Sequence, residues 1–251
     1  LYVADYDCAS FDDSGKTGFA HAFVLEQGEY RLLVGNSSET EKVACVFAVE
    51  ETLCLLQCRD ACGPVETFSV LTNWGSVPAV KSARDLRKRI LENLPEEIPF
   101  TGDVGIKLTD VKYGLDTLED FVAQLTDREL GDLSRGEGGM GSALGIIGNA
   151  GAFGGITQQL RDRGIPPMIT ADGPSGLRVK QYTSLLPCGT AIACTWNPDL
   201  TERMFAQVGR EAADHGIDVM LSPGMNIHRN PLCGRNFEYY SEDPYLTGKT
   251  A

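Results

Sequence analysis

The stretch NPDLTERMFAQVGREAADHGIDVMLSP, residues 197–223, decides the fold class. Asn197 offers a side-chain oxygen to a helix start, and Pro198 takes the first helical position, where a missing N–H costs nothing. Gly216 stands just past the helix end, and Leu200, Met204, Val208 and Ala212 fall along one side between them. The apolar run VMLSP that follows reads as a strand. Upstream, PPMITADGP is a short buried strand entering a turn, and GTAIACTW is predicted as another apolar strand. Strand, loop, strand, helix, strand is the order of a parallel α/β structure, barrel or doubly wound. In either, function sits on the loops that leave strand C-termini. Two such loops are ADGPSGLR, residues 171–178, and SPGMNIHRNPLCGRNFEYYSEDP, residues 222–244. The second holds a histidine, two arginines, three acidic residues and two tyrosines. It is too rich in turn formers for a core element and too irregular for an amphipathic helix, so it reads as a loop that holds something.

Before this region the pattern changes twice. DTLEDFVAQL places Leu118, Phe121, Val122 and Leu125 at helical spacing, and TDRE after it is a capping box in which Thr126 caps and Glu129 reaches back. Residues 76–106, with KSARDLRKRILENLPEEIPFTGD, form a charged helix and a proline-containing connector, the composition of a linker between domains. Residues 20–60 hold β-type runs, EYRLLVG and VACVFAVE among them, broken by QG and GNSSET. They suggest the tail of an antiparallel β-sandwich over residues 1–75, with the α/β portion over 107–251. Tyr30, Phe47 and Phe68 are spaced as ordinary core residues rather than as an aromatic binding platform.

Composition excludes several classes. With 42% hydrophobic and 23% charged residues, the 251-residue chain is expected to fold. Its 22 basic against 35 acidic residues leave a formal charge of −13, which repels nucleic-acid backbones and anionic membrane surfaces and favours a neutral ligand. No apolar run approaches the roughly 20 residues that cross a bilayer. The opening LYVADYDCASFDDSGKTGF has neither an initiator Met nor a signal-peptide pattern, so the chain reads as an internal part of a larger protein. Of eight cysteines, Cys54, Cys58 and Cys62 recur every four residues and share a face if helical, yet none of the three histidines is near. Free thiols in a reducing, cytoplasmic setting, and no metal site, are the expectation. GEGGMG, residues 136–141, fits G-x-G-x-x-G, but a helix rather than a strand precedes it, so a tight loop near the functional face is expected in place of a nucleotide site. No cofactor is predicted.

ADGPSGLR followed by LSPGMNIHRNPLCGRNFEYYSEDPYLTGKTA resembles glycoside hydrolase family 3, the β-glucosidase family, over about residues 107–251. GEYRLLVGNSS is similar to the end of the fibronectin-III-like domain that many members carry. The resemblance implies the N-terminal part of a (β/α)8 barrel of TIM type, preceded by the end of that sandwich in the family's permuted order. It implies that Asp172 and Arg235 contact hydroxyls of the sugar in subsite −1, with Arg178 as a further candidate. A structural ion pair, with each other or with neighbours, is the alternative for these residues. Glu238, Glu242 and Asp243 are expected to brace the loop rather than act as acid or base, and so are His228 and Arg229. Tyr239 and Tyr240 either line an entrance or pack beneath it.

The implied reaction is retaining hydrolysis of a terminal β-linked sugar, most simply glucose, by two carboxyl groups about 5 to 5.5 Å apart. Both the nucleophile and the acid/base are expected outside this chain, so that it supplies part of subsite −1 only. Its partners would be a β-linked oligosaccharide or glycoside and the remaining domains of the same protein. An inactive carbohydrate-binding relative, or a structural module, is the rival class.

Overall fold

The computed structural model describes residues 4–37, 39–59, 69–72, 75–78 and 85–251. These fall into two units, residues 1–95 and 96–251. In the first, β1 (Ser10–Asp12), β2 (Ala22–Leu25) and β5 (Leu53–Gln57) form an antiparallel sheet in the order β1-β2-β5. Two hairpins accompany it, β3 (Gly28–Val34) with β4 (Lys42–Val49), and β6 (Ser69–Thr72) with β7 (Gly75–Pro78). The runs EYRLLVG and VACVFAVE are β3 and β4. Their register sets Tyr30 opposite Phe47, and the two rings stack with centroids 5.2 Å apart, the cross-strand contact that stabilises such a pair.

At the end of β1 the buried Asp12 carboxylate accepts from the backbone N–H groups of Ser14, Gly15, Lys16 and Thr17. Burial opposes its ionisation, but these bonds and the Ser14 and Thr17 hydroxyls hold it well below the usual carboxylate range. Cys54 lies on β5, so the thiol spacing is not helical; Cys62 and Phe68 lie outside the described residues. Among its described residues the charged segment holds the short helix α1 (Leu86–Glu92), where Asp85 accepts from Lys88 N at 3.0 Å.

The second unit begins with three short helices, α2 (Leu108–Lys112), α3 (Leu118–Ala123) and α4 (Asp127–Arg135). The capping box forms as expected, with Thr126 N donating to Glu129 Oε2 at 2.9 Å and Glu129 N to Thr126 Oγ1 at 3.3 Å. Phe121 and Leu125 pack with Leu160 and Ile165. Arg163 ties this layer together, donating to Glu129 at 3.2 Å and Asp103 at 2.6 Å. Gln124, fully buried, satisfies both Ile106 N and Ile106 O, as a buried amide must.

The sheet of this unit runs in the order β10-β9-β8, with β8 (Gly151–Gly154), β9 (Pro167–Asp172) and β10 (Val219–Leu221). Between β9 and β10 lie α6 (Gly189–Ala193) and α7 (Pro198–Asp214), and after β10 comes α8 (Pro244–Thr250). β9 and β10 are parallel, with Leu221 beside Asp172, and α7 starts as the sequence demands, Asn197 Oδ1 accepting from Leu200 N at 3.0 Å. That cap contributes about 1 kcal/mol. Val208 and Ala212 are the buried members of its apolar side, and Ala212 packs with Ile169, Ala171 and Ile217.

Two expectations change. The sheet is mixed rather than wholly parallel, because β8 runs antiparallel to β9, pairing Gly151 with Thr170 and Gly154 with Pro167. Its glycines hide it in the sequence. The link to β9 carries the five-residue α5 (Gln158–Asp162), whose Leu160 packs with Phe121. The run GTAIACTW is not a strand either; it contains α6. A short apolar run does not distinguish helix from strand by itself, and tertiary contacts decide here. Gly189 is pressed against the carbonyl of Glu238, where a Cβ would stand 2.2 Å from the oxygen, and Thr190 Oγ1 donates to Tyr239 O at 2.9 Å. The unit is thus α/β with a mixed sheet.

Candidate functional site

Asp172 ends β9 and Leu221 ends β10, so the loops that follow both strands leave from one edge of the sheet. The first loop closes on its own strand. Arg178 N donates to Asp172 O at 2.8 Å, and the Arg178 guanidinium donates to Asp172 Oδ2. Gly173 N donates to Asp172 Oδ1 at 3.1 Å. This turn requires glycine at position 173, whose φ is +145° and where a Cβ would lie 1.8 Å from Gly176 O. Leu177 is buried in the core and pins the loop. Further on, Ser184 N donates to Glu211 of α7 at 2.8 Å, which fixes the far side.

The second loop is braced from within. His228 Nε2 lies 2.7 Å from Asn236 O and 3.2 Å from Tyr239 O, the geometry of an Nε2–H donor, and His228 N donates to Ser241 O at 3.0 Å. These contacts hold a 3-10 turn over Asn236–Glu238. Tyr239 and Tyr240 are buried, so they pack beneath the loop. Tyr240 joins Ile192 and Ala193, and burial pushes its hydroxyl pKa up. Asp243 caps α8, accepting from Tyr245 N at 2.7 Å. Glu238, nearly buried, accepts from Arg235 Nε, and that bond raises the Arg235 pKa further, so its charge is permanent.

Asp172, Arg178 and Arg235 meet at one cavity of about 770 Å³, with Glu238, Phe237 and Met140 also on its wall. Asp172 and Arg235 do not pair with each other; each has its own neighbour. Two arginines and two carboxylates balance in charge. A carboxylate only accepts and a guanidinium only donates, so together they match paired hydroxyl groups, each of which does both. Among the described residues, no cluster of three or more His, Cys, Asp or Glu is arranged to hold a metal ion. Phe237, Glu238 and Met140 are among the wall residues that were not singled out from the sequence as ligand contacts. Phe237 had no signal beyond its position in the loop. Glu238 is three residues after Arg235, a spacing that brings side chains together on one turn. Met140 arrives on the glycine-rich loop after α4, where Gly136, at φ 63°, ends the helix.

The sequence model of the glycosyl hydrolase family 3 N-terminal domain matches residues 115–251, more than half of the chain. Over the whole chain the identity is 44% to a beta-glucosidase of Ruminococcus albus, of which it covers 27%. It is 33% to Beta-glucosidase A of Butyrivibrio fibrisolvens, of which the chain covers 32%. The crystal structure of a beta-glucosidase from Paenibacillus barengoltzii matches 96% of the chain with a TM-score of 0.88 at 42% identity, and the match covers 28% of that protein. The chain therefore spans about a quarter to a third of the length of these relatives.

Proposed function

Because the chain belongs to glycosyl hydrolase family 3, we propose that it is part of a retaining β-glucosidase and supplies one wall of the pocket for the terminal sugar. The observation that carries this reading is the convergence of Asp172, Arg178 and Arg235, from loops about sixty residues apart in sequence, on one charge-balanced cavity at the C-terminal ends of β9 and β10. In this reading Asp172 accepts hydrogen bonds from adjacent hydroxyls of the sugar, and Arg235 donates to them. Arg178 holds the Asp172 carboxylate when no sugar is present and gives way to it, or adds a bond, when one binds. The nucleophile and the acid/base lie elsewhere in the full-length protein, and the present residues hold the ring while those groups act.

The architecture fits the same proposal. The step from β9 through α7 to β10 is one βα repeat of the kind that builds a (β/α)8 barrel. The antiparallel strands of residues 1–75 then form the end of a fibronectin-III-like sandwich. Glucose is the proposed sugar, as the names of the beta-glucosidase relatives suggest.

The test is glucose release from an aryl β-glucoside and from cellobiose, measured on the full-length protein and on the 251-residue chain alone. Release is expected from the first and none from the second, because hydroxyl contacts stabilise a displacement that another group must perform. Activity of the isolated chain that survives Asp172→Asn would overturn both the placement of catalysis and the role of Asp172. A full-length protein that binds glucose but cleaves no β-glycoside would be an inactive carbohydrate-binding relative instead.

A further inference from the structure

Glu238 stands in the sugar-pocket wall without a role in the reading above. Its side chain is 7% exposed, against 68% for the arginine it holds. Such a carboxylate loses most of its hydration on folding and is retained only where a partner compensates. The bond it makes goes to Arg235 Nε, in contrast to Asp243, whose carboxylate caps a helix through backbone N–H groups.

The backbone beneath Glu238 is clamped from several sides. Its carbonyl oxygen would lie 2.2 Å from a Cβ on Gly189 of α6 and 2.9 Å from one on Gly224 just beyond β10. The flanking carbonyls of Asn236 and Tyr239 are each held by His228 Nε2 and by Thr190 Oγ1. A buried carboxylate on so fixed a base is a rigid anchor, whereas Arg235 is a long, solvent-exposed side chain with much rotamer freedom to lose.

We propose that Glu238 is a positioning residue for Arg235: by holding Nε, it fixes the guanidinium plane and leaves the two terminal nitrogens to donate into the cavity beside Asp172. This inference rests on the reading of the cavity as a sugar site. An arginine has five N–H donors in a planar fork. Occupying the single donor at Nε removes no donor from the outer edge and settles where that edge points. Order is then in place before the sugar arrives, so less freedom is lost on binding and on reaching the transition state.

The experiment uses the full-length protein with an aryl β-glucoside. Glu238→Ala is expected to lower kcat/KM at least tenfold, while Glu238→Gln, which keeps an oxygen acceptor for Nε, recovers most of the loss. In an Arg235→Ala background, Glu238→Ala should change kcat/KM less than twofold, because its effect passes through the arginine. Additive losses in the double variant would overturn the proposal and leave Glu238 as a packing residue. So would an unchanged kcat/KM in Glu238→Ala. A crystal structure of Glu238→Ala separates this claim from the glycosidase reading. A displaced Arg235 guanidinium supports positioning, and an unmoved one overturns it, even if the wild-type protein cleaves no β-glycoside and the functional reading falls by itself.

Discussion

The two ion pairs of the cavity share one sense, with the acid deeper than the base, but differ in how far the acid is sunk. In Asp172–Arg178 the carboxylate ends a strand, and its side chain is 30% exposed against 73% for the arginine. In Arg235–Glu238 the carboxylate is the sunken member at 7%, and the arginine stands out at 68%. Asp172 thus keeps part of its carboxylate open to the cavity, whereas Glu238 is almost wholly closed off. At β9 the acid ends a strand, and at the 3-10 turn it sits on a backbone clamped by Gly189 and His228. A surface ion pair contributes little by itself, about 0 to 1 kcal/mol. What matters in each pair is therefore how much of the acid is left open beside the cavity, and that differs.

This contrast ranks the effects of substitution in the full-length protein. The largest is expected at Asp172, since in the proposed reading it would hold the sugar hydroxyls more tightly as the ring flattens toward an oxocarbenium-like transition state. Asp172→Asn should reduce kcat by about a hundredfold, of the order seen when a transition-state hydrogen bond is lost. Steady-state kinetics with an aryl β-glucoside measures it, and a rise in KM with kcat unchanged would mean uniform binding instead. Arg235→Lys comes next. It keeps the charge but loses the planar fork and the Nε link to Glu238, so kcat/KM should fall at least about tenfold with folding intact by circular dichroism. An unchanged value would remove Arg235 from the sugar contacts and erase the contrast between the pairs. Arg178→Ala should have the smallest effect, a change in kcat/KM of about two- to fivefold carried mainly by KM, as suits an exposed partner. A loss as large as that of Asp172→Asn would show that Arg178 is a principal contact and not a cover.

How far the sequence led differs by element. The helix α7 was legible from end to end, because Asn197, Pro198, the apolar side through Val208 and Ala212, and Gly216 are local signals that agree with one another. The capping box at Thr126 and Glu129 was legible for the same reason. By contrast, α6 was read as a strand and β8 was not seen. Five apolar or small residues at Gly189–Ala193 carry no period, and a four-residue strand with glycine at both ends has little propensity. At the site, Asp172, Arg178 and Arg235 were named from the resemblance and line one cavity, and the bracing by His228 and Asp243 was expected of polar residues in such a loop. Glu238 was expected to brace the loop through backbone N–H groups or an arginine, and the structure gives that arginine as Arg235.

Some features of this protein follow from the order of its residues alone. The α/β character of residues 107–251 and the antiparallel pairing of β3 with β4 depend on spacing, turn chemistry and composition, which act over a few residues, while the candidate sugar-contact residues are what the resemblance to a family implies. Tertiary structure decided the rest. The antiparallel course of β8 beside β9, the helical state of α6 under the carbonyl of Glu238, and the separate partners of Asp172 and Arg235 all arise between segments far apart in the chain. A buried carboxylate can be told from an exposed one only after the chain has closed around it, because burial is a property of what packs against a residue and not of its neighbours in sequence.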